Sequence, residues 1–418
     1  MPTPSGTSSS LAVRGGAPVR TLPFAPWPIF DTEMTDAVTR VLQSGKVNYW
    51  TGQECREFER EFATAVGSKH AIALANGTLA IELALMTLDI GPGDEVIVPP
   101  RTFIATASAV VMRGATPVFA DIDPVSGNLT AETIGAALSP KTKAVIVVHC
   151  AGWPCEMDAI MELASRFDLK VIEDCAQAHG ATYRGQTVGS IGDIGAFSFC
   201  QDKIISTAGE GGMLTTNDEA IWEKAWSFKD HGKNWDAVYH RQHPTVFKWL
   251  HESFGTNWRL TEVQAVIGRI ALKRLPEWVN ARRQHARQLS ARLAGVPGLE
   301  VLTQPTDCDH SFYKYYVNVT AEALAGSWTR DDIVRALQAE GITCGSGMCC
   351  EIYTEKAFTN SGFAPKKRLP NAQHLGERGI MFMVHPTLDA ASIDDTATAL
   401  EKIMRVCCEE SKLRTKAA

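Results

Sequence analysis

Hydrophobic and polar positions along this chain switch between two periods. In Thr32–Ser44 and Cys55–Val66 apolar residues recur at helical spacing, and a glycine closes each run, Gly45 and Gly67. Short apolar runs then alternate with helical patterns. Strands are predicted at His70–Ala75, Val96–Pro99, Pro117–Asp121, Ala144–His149 and Val171–Asp174, with closing strands at Gly195–Phe199 and Met213–Thr216. Helices are predicted between them at Leu79–Leu88, Ile104–Arg113 and Met157–Phe167. This alternation gives an α/β fold with a mostly parallel sheet covered on both faces.

Beyond the sheet the pattern thins. Asn217–Phe254 carries few helical or strand signals. A helix is expected over Leu260–Leu275, stopped by Pro276, and a second over Glu277–Leu293, ending near Gly295. A strand at Tyr315–Val319 and a helix at Thr329–Glu340 predict a smaller α+β domain over 275–418, after a large α/β domain over 21–274. Residues 1–20, rich in Ser, Pro and Gly, are expected to form a flexible arm.

Composition changes this picture little. With 418 residues, 45% hydrophobic, the chain has material for an ordinary core, and a net charge of −6 argues against nucleic-acid or membrane binding. No secretory h-region and no run of 18 apolar residues is present. Eleven cysteines in a chain of this length read as reduced thiols of a cytoplasmic protein rather than a disulfide framework, and none sits at zinc spacing, so no metal is expected. The run Lys366–Arg368 reads as a solvated loop or as a neutraliser of an anionic substrate.

The chemistry concentrates between Val171 and Asp218. One strand delivers Glu173 and Asp174, the next Ser198, and Lys203 follows before the glycines Gly209, Gly211 and Gly212. An acid for a pyridine nitrogen, donors for a phosphate and a lysine for an aldehyde are the groups a pyridoxal 5'-phosphate (PLP) enzyme needs. Each residue also has a plain reading. Asp174 serves equally as a capping or salt-bridging acid, and Lys203 as a surface charge. Asn76-Gly77-Thr78 is either an anion site or an ordinary strand-to-helix turn capped by Thr78.

Taken together, these residues resemble the DegT/DnrJ/StrS group, the sugar-aminotransferase branch of the fold-type I PLP enzymes. The resemblance runs from about Leu11 to the end and implies a seven-stranded sheet. It implies that Lys203 is the Schiff-base lysine and general base, that Asp174 pairs with the pyridine nitrogen, and that Gln177 lies near the ring hydroxyl. Gly77, Thr78 and Ser198 become phosphate contacts, and Phe103 lies against the ring. Gly255-Thr-Asn-Trp-Arg259 resembles the group's GxNxR segment, so Asn257 is expected to reach the cofactor of a partner subunit in a homodimer with shared sites. His231 and Tyr353 are carried over as substrate contacts.

The implied activity is transfer of an amino group from glutamate or glutamine to a keto sugar, foremost a nucleotide-linked keto-deoxysugar, for polysaccharide, lipopolysaccharide or antibiotic synthesis. The opening Leu11–Arg20 resembles members acting on cyclitols or making aminohydroxybenzoate, which keeps those acceptors open. A PLP-dependent sugar dehydratase would carry histidine at 203, and a non-catalytic regulator would have lost Lys203 or Asp174. A nicotinamide dehydrogenase would need a dinucleotide fingerprint that follows no strand here.

Overall fold

The computed structural model describes residues 10–320, 323 and 328–417, the last seven of them by backbone alone. The large sheet has seven strands: β1 (His70–Leu74), β2 (Glu95–Val98), β3 (Thr116–Phe119), β4 (Thr142–Val148), β5 (Lys170–Asp174), β6 (Ile194–Ser198) and β7 (Gly212–Thr216). Their spatial order is β1-β7-β6-β5-β4-β2-β3, and β7 alone runs against the rest. The predicted strands fall within two residues of these bounds.

Both faces are buried because successive side chains point to opposite sides. In β1, Ile72 and Leu74 pack on Leu83 and Ala84 of the helix Gly77–Thr87, while Ala71 and Ala73 pack on Phe58 and Phe62 of the helix Glu54–Val66. In β4, Ile146 joins the first core and Val147 a third, beneath the helix Met157–Phe167. The smaller sheet, β8 (Leu299–Val301), β9 (Tyr315–Val319), β10 (Cys344–Gly345) and β11 (Gly379–Phe382), is antiparallel in the order β8-β9-β11-β10. It packs on the helices Arg330–Ala339 and Ala390–Ala417.

Three expectations change. The two helices expected around Pro276 are one, Glu262–Leu293. An interior proline removes an amide donor at a cost of about 3 kcal/mol. Burial outweighs it, since Val266 and Ile270 enter the large-sheet core and Ala286, Leu289 and Leu293 the smaller one. Asn217–Phe254 holds two helices, Glu219–Lys229 and Trp235–Tyr239, capped by Asp218 and Asn234. They interlock through Trp222, Trp226 and Trp235, with ring centroids 4.9 and 4.8 Å apart. Finally, Leu11–Arg20 is docked rather than free. Leu11 is buried, and the amides of Ala12 and Val19 donate to the buried Glu340 at 2.8 and 3.0 Å. Residues 1–9 of the expected arm lie outside the described residues. No helix among the described residues is long and apolar enough to cross a membrane.

Candidate active site

The carboxyl ends of β1, β5 and β6 open into one cavity of about 1050 Å³, where ligands of parallel sheets bind. Its walls carry Gly77, Thr78, Phe103, Asp174, Gln177, Ser198 and Lys203. Seven of the ten residues singled out from the sequence therefore meet in one place.

The register explains one wall. Leu74 pairs with Gly212, and Gly212 with Ser198, across β1, β7 and β6. A Cβ on Gly212 would lie 2.4 Å from the Asn76 carbonyl, and one on Gly77 2.6 Å from the Ser198 Cβ. Glycine at both positions lets the helix Gly77–Thr87 start against Ser198. Asn76, not Thr78, caps that helix, its Oδ1 accepting from the Leu79 amide at 3.0 Å. The amides of Gly77 and Thr78 have no acceptor within the helix and face the end where anions are favoured.

The second wall is built around Asp174, which is buried at the end of β5. Thr106 Oγ1 donates to its Oδ2 at 2.8 Å, and the Ala176 amide to its Oδ1 at 3.1 Å. Thr102 Oγ1 lies 2.7 Å from Thr106 Oγ1. Burial pushes the Asp174 carboxyl up, against the opposing pull of Thr106, Ala176 and Lys203. Its neighbour Glu173 points to the other side. There it accepts from the amides of Gly189, Ile191 and Gly192 and from His149 Nε2. Burial alone would raise Glu173, but the His149 contact and these amides hold it below the usual carboxylate range. The two acids are thus sorted, Glu173 for structure and Asp174 for the cavity.

Lys203 completes the arrangement. Its Nζ lies 3.9 Å from the Asp202 carboxylate and 4.9 Å from the centre of the Tyr313 ring. Its carbonyl accepts from Trp27 Nε1 at 3.0 Å, which ties the lysine loop to the N-terminal segment. Gln177 accepts from the Ala151 amide at 2.8 Å and turns its Nε2 to Met348 Sδ. Phe103 is 67% exposed, an uncovered aromatic face on the cavity wall.

Three expected residues stand elsewhere. Asn257 and His231 are exposed and lie together, since Asp230 bridges to Asn257 and the His231 amide donates to Thr256. Neither lines the cavity of this chain. Tyr353 is buried edge-on against Phe119, with its hydroxyl donating to Glu351 and accepting from the Leu369 amide at 2.9 Å. It too stays off the cavity, because its polar end is already satisfied within the protein. Thr102 and Thr106 were not anticipated, although hydroxyls four residues apart flanking Phe103 at a helix start were a readable signal. Nor was Lys314, which also lines the cavity.

These groups fit PLP. The Gly77–Ser198 cradle offers unpaired amides and a hydroxyl to a phosphate, Asp174 is a buried acid whose proton affinity is raised, and Lys203 supplies an amine.

The comparisons agree. Residues 28–401 match the DegT/DnrJ/EryC1/StrS aminotransferase family. The chain is 38% identical over 372 residues to the UDP-N-acetyl-3-dehydro-alpha-D-glucosamine 3-aminotransferase of Acidithiobacillus ferrooxidans, covering 89% of this chain and 94% of that one. It is 39% identical over 362 residues to the GDP-perosamine synthase of Caulobacter vibrioides, covering 83% and 89%. The solved aminotransferase from Psychrobacter cryohalolentis superposes with a TM-score of 0.91 at 55% identity, covering 92% of this chain and 99% of that one. The chain belongs to the DegT/DnrJ/EryC1/StrS aminotransferase family and is a PLP-dependent transaminase of the sugar-aminotransferase kind.

Proposed function

We propose that this transaminase moves an amino group from glutamate or glutamine onto a nucleotide-linked keto-deoxysugar, producing an amino sugar for a surface polysaccharide or lipopolysaccharide. The observation that carries the reading is the convergence of Lys203, Asp174 and the Gly77–Ser198 cradle on one cavity. The acceptor class is supported by relatives named for UDP- and GDP-linked sugars. A cavity of about 1050 Å³ leaves room beside a cofactor for a sugar.

When bound, PLP supplies an electron sink for the carbon from which the amino group leaves. The chain does the rest. Lys203 would hold the cofactor and would serve as the general base and acid that moves the proton at the donor carbon, a role worth about 10²–10⁴-fold. Asp174 keeps a proton on the pyridine nitrogen, and Thr106 and Ala176 fix the carboxylate for that task. Gly77, Thr78 and Ser198 would take the phosphate, Gln177 would serve the ring hydroxyl, and Phe103 would cover a ring face.

Asn257 and His231 serve the site of a second subunit, which accounts for their standing off the cavity of their own chain. The neighbouring segment exposes Val246, Trp249 and Phe254 at 93, 77 and 99%, an apolar surface suited to a partner. Eleven cysteines in a chain of this length suit a reducing, cytoplasmic setting.

The test is the visible spectrum of the purified protein before and after adding glutamate or glutamine. A bound-cofactor band that converts to the pyridoxamine form identifies the donor. A band that neither amino acid changes sinks the donor assignment. Absence of any band after reconstitution sinks the site assignment.

A further inference from the structure

A second cavity, of about 210 Å³, lies behind the wall of the main one. The two share Asp202, Tyr313, Lys314 and Met383. The rest of its lining includes Trp27, Arg282 and His385, so cationic groups and one acid surround a small space.

Arg282 is the unusual member. It rises from the middle of the helix Glu262–Leu293 and is 1% exposed. Its Nη1 donates to the Tyr313 carbonyl at 3.1 Å and the Phe312 carbonyl at 3.4 Å, but its Nε and Nη2 have no partner. A buried donor left unmet costs about 1–3 kcal/mol, more on a charged group. Trp27 stacks its ring 5.2 Å from the guanidinium but offers no acceptor oxygen.

The neighbours do not supply the missing charge. Lys314 Nζ reaches Met383 Sδ at 3.3 Å and stands 3.9 Å from Asp202. Asp202 is 55% exposed, accepts from the Tyr313 hydroxyl and also faces Lys203, so one carboxylate is divided among several cations and donors. His385 is held by Thr387 at 2.8 Å and lies parallel to Trp27. Burial pulls Lys314 down to about 8 and Arg282 down to about 9, as expected where cations outnumber the anions that would stabilise them.

We propose that this cavity is a carboxylate subsite, in which Arg282 and Lys314 receive a carboxylate of the amino donor or of the 2-oxo acid it leaves. The inference rests on the aminotransferase reading above. An arginine with two free N–H groups matches a carboxylate's paired oxygens. The shared wall of Tyr313 and Lys314 connects the subsite with the space that Lys203 faces. The subsite makes the enzyme selective for acidic donors, because an amine lacking a carboxylate leaves the buried guanidinium unmatched.

The probe is glutarate, a dicarboxylate with no amino group to transfer, titrated calorimetrically into the cofactor-loaded enzyme. Glutarate binding is expected to weaken at least tenfold in Arg282→Gln, and less in Arg282→Lys, which keeps the charge but not the fork. Unchanged glutarate affinity in Arg282→Gln with an intact cofactor band overturns the subsite. If Arg282→Gln does not fold, Lys314→Gln is the second probe, and wild-type glutarate affinity there overturns the proposal equally. A wild-type protein that takes up no PLP overturns the reading of the main cavity instead, and glutarate titrated into that cofactor-free protein, wild type against Arg282→Gln, then decides the subsite.

Discussion

At the scale of single residues, the cavity is a set of groups placed against their own preference. Asp174 is buried among few partners, so its folded-state carboxyl titrates above the ordinary value of 3.8. The sign follows from linkage: a carboxyl raised on folding costs stability once pH climbs through its folded pKa, and costs nothing below the unfolded one. In the cofactor-free protein, Asp174→Asn is therefore expected to melt at a higher temperature than wild type at pH 8. The gap should close as pH falls toward the ordinary carboxylate range. The same variant should lose at least about 10²-fold in turnover, because an amide cannot hold the charge that supports a protonated pyridine. A variant less stable than wild type at pH 8 would mean that the acid is satisfied without cofactor. Gly212 makes the companion case. Gly212→Ala puts a methyl 2.4 Å from the Asn76 carbonyl, an overpacking of about 1–3 kcal/mol. It should also spread the Gly77–Ser198 cradle, so phosphate-dependent PLP retention should fall further than the melting temperature alone predicts.

At the scale of elements, one buried acid joins two helices. Glu262 begins the long helix, yet its carboxylate accepts from the amides of Glu54 and Cys55, at 2.5 and 3.2 Å, in the first turn of Glu54–Val66. It caps a helix it does not belong to. Glu262→Ala should cost about 1–2 kcal/mol, the value of a lost cap, read as a lower denaturant midpoint with the slope unchanged. This contact could not be read from the sequence, because the two residues are 208 positions apart. What was legible had local causes. Runs such as Ala144–His149 and Val171–Asp174 are apolar because both sheet faces are covered, and Gly45 and Gly67 close their helices in left-handed turns. The break expected at Pro276 followed a correct local rule that packing against two cores overrides. The helix Glu219–Lys229 was hidden because tryptophans break up the helical pattern, although Asp218 marked its start. In the site, the strand ends and the hydroxyls around Phe103 were readable, whereas Lys314, just ahead of a strand of the smaller sheet, reaches the cavity only through the assembled fold.

At the scale of the whole molecule, the described chain contains most of a site and displays the rest of the expected residues elsewhere. Lys203 and Asp174 face inward, while Asn257 and His231 stand on the surface beside Trp249 and Phe254. In a closed twofold dimer, each subunit presents that surface to the other, so Asn257 of one would complete the cavity of its partner. Each site would then need Lys203 from one chain and Asn257 from the other. Lys203→Ala should bind PLP without forming the lysine-bound band and should not turn over, and Asn257→Ala should hold PLP poorly. Mixed after dissociation and reassociation, the two variants should form hybrids in about half of the dimers, each with one intact site. Activity should return to about a quarter of wild type. Sites built within one chain would leave the mixture with no more activity than Asn257→Ala contributes alone, so failure of complementation, with hybrid formation verified by mass, would separate a self-contained cavity from a shared one.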